Sequence, residues 1–345
     1  MPILLYNLGI GLLAALVCLI CIIAFTHLAP RLKLIDIPDS RKHHAEATPV
    51  VGGLAIYTTL CLAVYVLGST EDLKWLVLSS GILVLVGALD DIFGLSVWIR
   101  LAFQIIASLT MLISSSVSVE SIGVDVLQMD LVLQTLGVPI TIFAVVGLTN
   151  GVNMADGIDG LASGYILVAL GALFFGITLA SDQAFPAMWV IVLGSATFIF
   201  ALVNLSIIPV KKVFLGDSGS LLLGFTLGWT LVLYSQKPLT FIAPVMTLWC
   251  VAIPVFDTVR VVIRRLKLRR SVFRPDRSHL HHILIDRGFS NTATLLIVLG
   301  LSIAVGFVGI LSAAYISHSV SLFLFLGCMF VFEVVVRHNE NANAV

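Results

Sequence analysis

Between Asn150 and Gly160 the chain reads NGVNMADGIDG, a polar block set between two apolar runs. Asn150, Asn153, Asp156 and Asp159 recur every third residue, so on a helix each is turned about 60° from the one before and neighbours share a face. Oxygen-bearing side chains along one wall suit a hard divalent cation, Mg²⁺ or Mn²⁺ rather than zinc. Gly151, Gly157 and Gly160 thin the backbone beside them and let a bulky ligand approach. The plain alternative is a polar turn in which Asp159 caps the apolar run starting at Leu161, although a cap needs only one of these side chains.

Other carboxylates close other apolar runs. Asp90 and Asp91 precede the turn IFGLS; adjacent carboxylates repel, and a bound divalent cation is a natural reason for both to stay ionised. Two merely solvated acids at a helix end are the alternative. Asp217, in FLGDSGS, either caps the helix that follows or stands beside amides able to hold a phosphate. The segment RVVIRRLKLRRSVFRPDRSHLHHIL supplies guanidinium groups, whose forks take phosphate oxygens in pairs. Its His279, His281 and His282 lack the spacing of a zinc helix and read as hydrogen-bonding groups for a substrate. Near the start, IDIPDSRKHHAEATPVVGG gathers Asp36, Arg41, Lys42, His43 and His44, a composition able to neutralise an anionic lipid headgroup.

Such residues need elements to carry them. With 345 residues, 59% hydrophobic and 11% charged, and a mean hydropathy of +1.11, the chain is predicted to be an all-α, polytopic integral membrane protein. Apolar runs long enough to cross a bilayer predict about eleven spans, with ten as the lower count. They lie near 3–29, 50–68, 75–89, 99–116, 131–149, 161–180, 187–205, 219–234, 240–259, 292–315 and 319–336. With the N-terminus periplasmic and the C-terminus cytoplasmic, 17 of the 19 Lys and Arg fall on the inner side, leaving Lys74 and Lys237 outside. That frame brings Asp90, Asp91, Asp156, Asp159, Asp217 and the His279 group to the cytoplasmic face, although none of them was used to build it. The N-terminus lacks the basic start and small-residue cleavage site of a secretory signal and reads as a retained span. A single transmembrane domain over 1–345 is expected, with 260–291 as a cytoplasmic substrate-binding loop. The five cysteines lie inside apolar segments and read as small buried hydrophobes.

Oxygen ligands, a basic loop and a bilayer suit phosphoryl transfer between a soluble nucleotide compound and a lipid. In this order, DIPDSRKHH, PVVGG, the Asp90 and Asp91 pair, NGVNMADGIDGLASG, FLGDSGS and VFRPDRSHLHH resemble the polyprenyl-phosphate N-acetylhexosamine-1-phosphate transferases over the whole chain. The resemblance implies transfer of N-acetylglucosamine 1-phosphate from UDP-N-acetylglucosamine to undecaprenyl phosphate, releasing UMP, with Mg²⁺ or Mn²⁺, at the bacterial inner membrane. This would be the first membrane step of a polysaccharide of the O-antigen or enterobacterial common antigen type. It also implies metal roles for Asp217, Asn153 and Asp91, and catalytic roles for Asp90, Asp91, Asp156 and Asp159. Nucleotide-sugar contacts fall to Asn150, Asp156, Asp159, Arg265, His279, His281 and His282, and lipid-phosphate contacts to Arg41, Lys42, His44 and Arg100.

The branch using a muramoyl-pentapeptide donor carries three consecutive histidines and a lysine soon after its aspartate pair. Here His279-Leu280-His281-His282 and Arg100 stand instead, which argues against that donor. Another UDP-N-acetylhexosamine stays open, as does a homodimer; membrane lipid is an expected partner and nucleic acid is not. A cation channel or transporter is the competing class, but it would spread its carboxylates over several depths rather than gather them at one face.

Overall fold

The computed structural model describes residues 2–37, 47–124, 129–180, 187–238, 240–271 and 276–341. Its helices are α1 (Pro2–Leu32), α2 (Gly52–Val66), α3 (Glu71–Phe93), α4 (Val97–Ser115), α5 (Met129–Ala155), α6 (Leu161–Ala180), α7 (Ala187–Asn204), α8 (Gly216–Ser235), α9 (Pro244–Cys250), α10 (Ala252–Lys267), α11 (Leu280–Asp286), α12 (Asn291–Tyr315) and α13 (His318–Asn341). Among the described residues, eight of them are long and apolar enough to cross a membrane: α1, α3, α4, α5, α6, α8, α12 and α13. Helices α2 and α7 are shorter apolar helices, and α9 with α10 is an apolar pair bent by 77°, the geometry of a broken span or of a re-entrant loop. Each predicted span therefore coincides with a helix or with that bent pair. The chain is an all-α integral membrane protein.

Several boundaries differ from the hydropathy reading, α10 for instance running on to Lys267, and two of them bear on the site. Helix α3 continues past Asp90 and Asp91 and stops only at Gly94, whose left-handed φ of 66° turns the chain while its N–H donates to the Asp90 carbonyl at 2.8 Å. Likewise α5 continues through Asn150 and Asn153 to Ala155. Asp90, Asp91, Asn150 and Asn153 therefore sit on the last turns of helices, whereas Asp156 and Asp159 fall in the turn that follows α5.

The chain forms two compact units. The first comprises Met1–Val117, Ile142–Leu167 and Ala184–Thr230; the second comprises Ser118–Thr141, Val168–Gln183 and Leu231–Val345. In the first, α1 packs on α2 and α7, and α3 on α2 and α4. A short antiparallel pair, β1 (Ile35–Asp36) with β2 (Thr48–Pro49), leads into the PVVGG turn. That turn is stitched to the segment before α8: Phe214 N donates to Pro49 O at 2.8 Å, and Gly52 N and Gly53 N donate to Phe214 O at 3.0 Å and Leu215 O at 3.2 Å.

Glycines then let α2 and α3 close on the first turn of α8. A Cβ at Gly53 would stand 2.3 Å from Gly219 N, and one at Gly87 would stand 2.4 Å from Ser218 Cα. Two motifs, PVVGG and FLGDSGS, are thus the two sides of one backbone crossing, which fixes Asp217. In the second unit, α12 packs on α9, α10, α11 and α13. There the Trp249 indole lies over Gly309 and donates to Ser321 Oγ at 2.9 Å.

A methyl group at the crossing has nowhere to go. Gly87→Ala is expected to destabilise the purified protein by about 1–3 kcal/mol through overpacking. Gly147→Ala, in α5 where a Cβ would meet nothing within 4 Å, is expected to be neutral or stabilising. Thermal unfolding in detergent compares them, and equal melting of the two variants would exclude the tight crossing.

Candidate active site

The first turn of α8 is the centre of the acidic group. Asp91, near the end of α3, accepts from the N–H of Asp217 at 2.8 Å and from that of Ser218 at 3.3 Å. A carboxylate from a distant helix thus answers amides that α8 cannot pair for itself, and its charge complements the positive end of the helix dipole. Gly216, at a φ of +74°, is required twice over, since a Cβ there would also meet Asp91 Oδ2 at 2.6 Å.

Asp217 is the next acid along. Its Oδ1 receives the Asn153 amide, which also donates to Ser220 Oγ at 2.8 Å. Arg100, in the first turn of α4, places Nη1 2.8 Å from Asp90 Oδ2 and 3.5 Å from Asp217 Oδ1. The other Asp90 oxygen accepts from Leu95 N at 2.6 Å, and the residue is buried at 8% exposure. Asp90, Asp91, Asn153 and Asp217, named from sequence on separate stretches, therefore meet. Arg100, read as a lipid-phosphate contact, is held among these acids.

The rest of the polar block is distributed differently. Asn150 pairs with Gln104, donating from Nδ2 to Gln104 Oε1 at 2.6 Å, which ties α4 to α5. Asp156 follows the end of α5 with an exposed side chain, within electrostatic reach of Asp217, Asp91 and Asp159. Asp159 is ion-paired to Lys212 at 2.5 Å and receives the Asn204 amide at 3.3 Å, while Asn204 Oδ1 accepts from Gly160 N at 2.8 Å. Gln104, Ser220, Asn204 and Lys212 were not singled out from sequence. Gln104, 1% exposed within an apolar helix, carried the clearest available signal.

The basic loop belongs to the second unit and has its own framework. Asp257 on α10, 7% exposed, accepts from His279 Nδ1 at 2.8 Å, Leu280 N at 3.0 Å and Arg260 Nη2 at 3.3 Å. Arg260 also donates to the Ser278 carbonyl. Arg265 donates to Asp276 Oδ2 at 2.5 Å and to the Ser271 carbonyl, so its guanidinium ties down the loop. His281 is buried and its Nε2 has no hydrogen-bond partner; the His282 ring lies 4.1 Å from it, centroid to centroid. Asp257 and Asp276 also escaped the sequence reading, although an acid inside the apolar run 240–259 marked the first. Arg41, Lys42 and His44 lie outside the described residues.

The donor set fits a magnesium-class ion. Among the described residues no three Asp, Glu, His or Cys side chains make a preformed metal cage. Mg²⁺ does not need one, since it is usually held by one or two carboxylates plus substrate phosphates and water. Asp217 and Asp90, carboxylates close enough to share one guanidinium nitrogen, meet that description.

A family model described as glycosyl transferase family 4 matches residues 73–235, which carry all of these acids except those of the basic loop. The chain is 34% identical over 314 residues to the undecaprenyl-phosphate alpha-N-acetylglucosaminyl 1-phosphate transferase of Escherichia coli K12, covering 90% of this chain and 85% of that one. It is 36% identical over 343 residues to the enzyme of the same name from Salmonella typhi, covering 94% and 92%. The same-named enzyme of Haemophilus influenzae is 33% identical over 325 residues, covering 92% and 90%.

The basic loop carries its own pH signature. Burial, and then the neighbouring imidazoles of His282 and His279, push His281 from 6.5 down to about 3. Burial alone raises Asp276, but hydrogen bonds from Ser278 and Arg265 bring it down from 3.8 to about 2. Above pH 6.5 His281 is neutral folded or unfolded; below it only the unfolded chain takes the proton, so stability is lost as pH falls towards 3. Asp276 adds a loss of the same sign between 3.8 and 2. Melting temperatures measured between about pH 7 and about pH 4 are expected to fall, and less steeply in His281→Leu. An unchanged slope in that variant would remove His281 as the source.

Proposed function

The chain belongs to glycosyl transferase family 4, and we propose that it transfers N-acetylglucosamine 1-phosphate from UDP-N-acetylglucosamine to undecaprenyl phosphate. An oxygen of the lipid phosphate attacks the phosphorus that bears the sugar, the pyrophosphate bridge breaks, and UMP leaves. The observation that carries this reading is the meeting of Asp90, Asp91, Asn153, Asp217 and Arg100 at the start of α8. The names of relatives that align over nearly the whole chain supply the substrates.

A phosphate monoester has its second pKa near 6, so the acceptor is already an anionic nucleophile at neutral pH. No strong general base is needed. The work left to the protein is placement and charge compensation. Asp217, with Asn153 and Asp90, would hold a Mg²⁺ or Mn²⁺ ion, which supplies neutralisation of the phosphoryl oxygens. Asp91 holds the helix start that carries Asp217. Lys212 restrains Asp159 and the turn beginning at Asp156, and within the second unit the Asp257 framework fixes the orientation of His279. The site faces the cytoplasm at the bacterial inner membrane, a reading supported by the one-sided distribution of Lys and Arg.

Asp217 and Asp91 meet different partners, so their variants are expected to differ. Asp217→Asn is expected to lower UMP release from UDP-N-acetylglucosamine by about 100-fold or more while leaving thermal stability near wild type. Asp91→Asn is expected to lose activity and also about 1–2 kcal/mol of stability, because it weakens the cap on α8. Purified variants assayed with defined lipid acceptor and Mg²⁺ test both. Near-normal turnover in Asp217→Asn would remove it from the reaction.

A further inference from the structure

We propose that Arg100 competes with the divalent cation for Asp90 and Asp217, and that once displaced its guanidinium takes a substrate phosphate. The inference rests on the metal role assigned to these acids above.

One nitrogen of Arg100 bridges carboxylates from α3 and α8, at 2.8 Å and 3.5 Å. Several groups around it are already engaged. Asp90 Oδ1 accepts from the Leu95 amide, both Asp91 oxygens accept from α8, and Lys212 is paired with Asp159. A Mg²⁺ ion held by Asp90 and Asp217 would draw on the carboxylate oxygens that Arg100 now contacts. Two cations cannot share those oxygens in a partly buried site without strong repulsion. Arg100 therefore serves as an internal counter-ion that keeps the two acids together and yields them to the metal.

Its position gives the displaced group a purpose. Arg100 projects from the first turn of α4 at the same cluster, with its side chain only 22% exposed, so a small rotation leaves it beside the metal rather than in bulk solvent. A planar guanidinium with two parallel donors is suited to a phosphate placed there. Removing this positive charge from a phosphate-binding site is thus expected to improve cation binding and to impair use of the phosphate.

Two measurements on the full-length protein in nanodiscs test this. Mn²⁺ binding read by electron paramagnetic resonance, without substrates, is expected to tighten by at least about fivefold in Arg100→Gln, with Arg100→Lys between it and wild type. Unchanged or weaker binding in Arg100→Gln overturns the competition. In wild-type protein, which avoids any folding defect, modification of Arg100 by phenylglyoxal is expected to rise when Mn²⁺ is added. Undecaprenyl phosphate or UDP-N-acetylglucosamine should then suppress it, and whichever one does so identifies the phosphate. No rise with Mn²⁺, or no suppression by either, overturns the proposal. UMP release measured on the same samples keeps the outcomes apart: Mn²⁺-dependent release with unchanged affinity in Arg100→Gln rejects only the competition. Metal-independent release rejects the metal role beneath it as well.

Discussion

A helix that begins inside a packed assembly leaves its first amide groups without partners of its own, and α8 begins that way. Its membrane-length segment is buried throughout, with backbone crossings at Gly53 and Gly87 closing around its first turn. An unanswered buried N–H costs more than most surface interactions return, so an acceptor has to come from elsewhere in the fold. Asp91 supplies it from α3. The consequence is chemical as well as structural. With Asp91 committed to the helix start, Asp217 on the same turn and Asp90 beside it are brought together as acids that need a cation.

The second unit solves a similar problem with different groups. Asp257, Arg260 and His279 satisfy one another across α10 and the start of α11, and Arg265 with Asp276 fastens the preceding turn. Breaking one partner of such a buried set costs more than the set contributes, because a charge is left alone. Residues that look like ligand-binding groups in the sequence are thus partly scaffold. His279 is turned by Asp257, and Arg265 is held by its loop. His282, half-buried and beside the unpartnered His281, is less constrained by this framework.

Hydropathy located the apolar helices because burial in lipid demands apolar residues whatever the tertiary detail. It misplaced the ends at Asp90 and Asn150, since a charge or amide reads as an exit while the backbone continues until a residue such as Gly94 allows it to turn. The acids of the site were legible because several carboxylates at the ends of apolar runs are hard to explain otherwise. Their partners were not. Gln104 meets Asn150 across 46 positions and Lys212 meets Asp159 across 53, and neither has a local pattern that names its partner. Asp91 was legible as an acid but not as a helix cap, because the crossing that makes it one is long-range.

The charge balance of the acidic group orders what can bind there. Asp90, Asp91 and Asp217 face one guanidinium and the positive end of α8, which leaves the group short of positive charge before any substrate arrives. A phosphate ester approaching this group meets net repulsion, and a divalent cation reverses its sign. By linkage, whatever factor the cation contributes to phosphate affinity is returned by phosphate to cation affinity. If they hold the proposed ion, the acids therefore need not bind it tightly on their own: an incomplete set of protein ligands would leave the remaining positions to water and substrate oxygens.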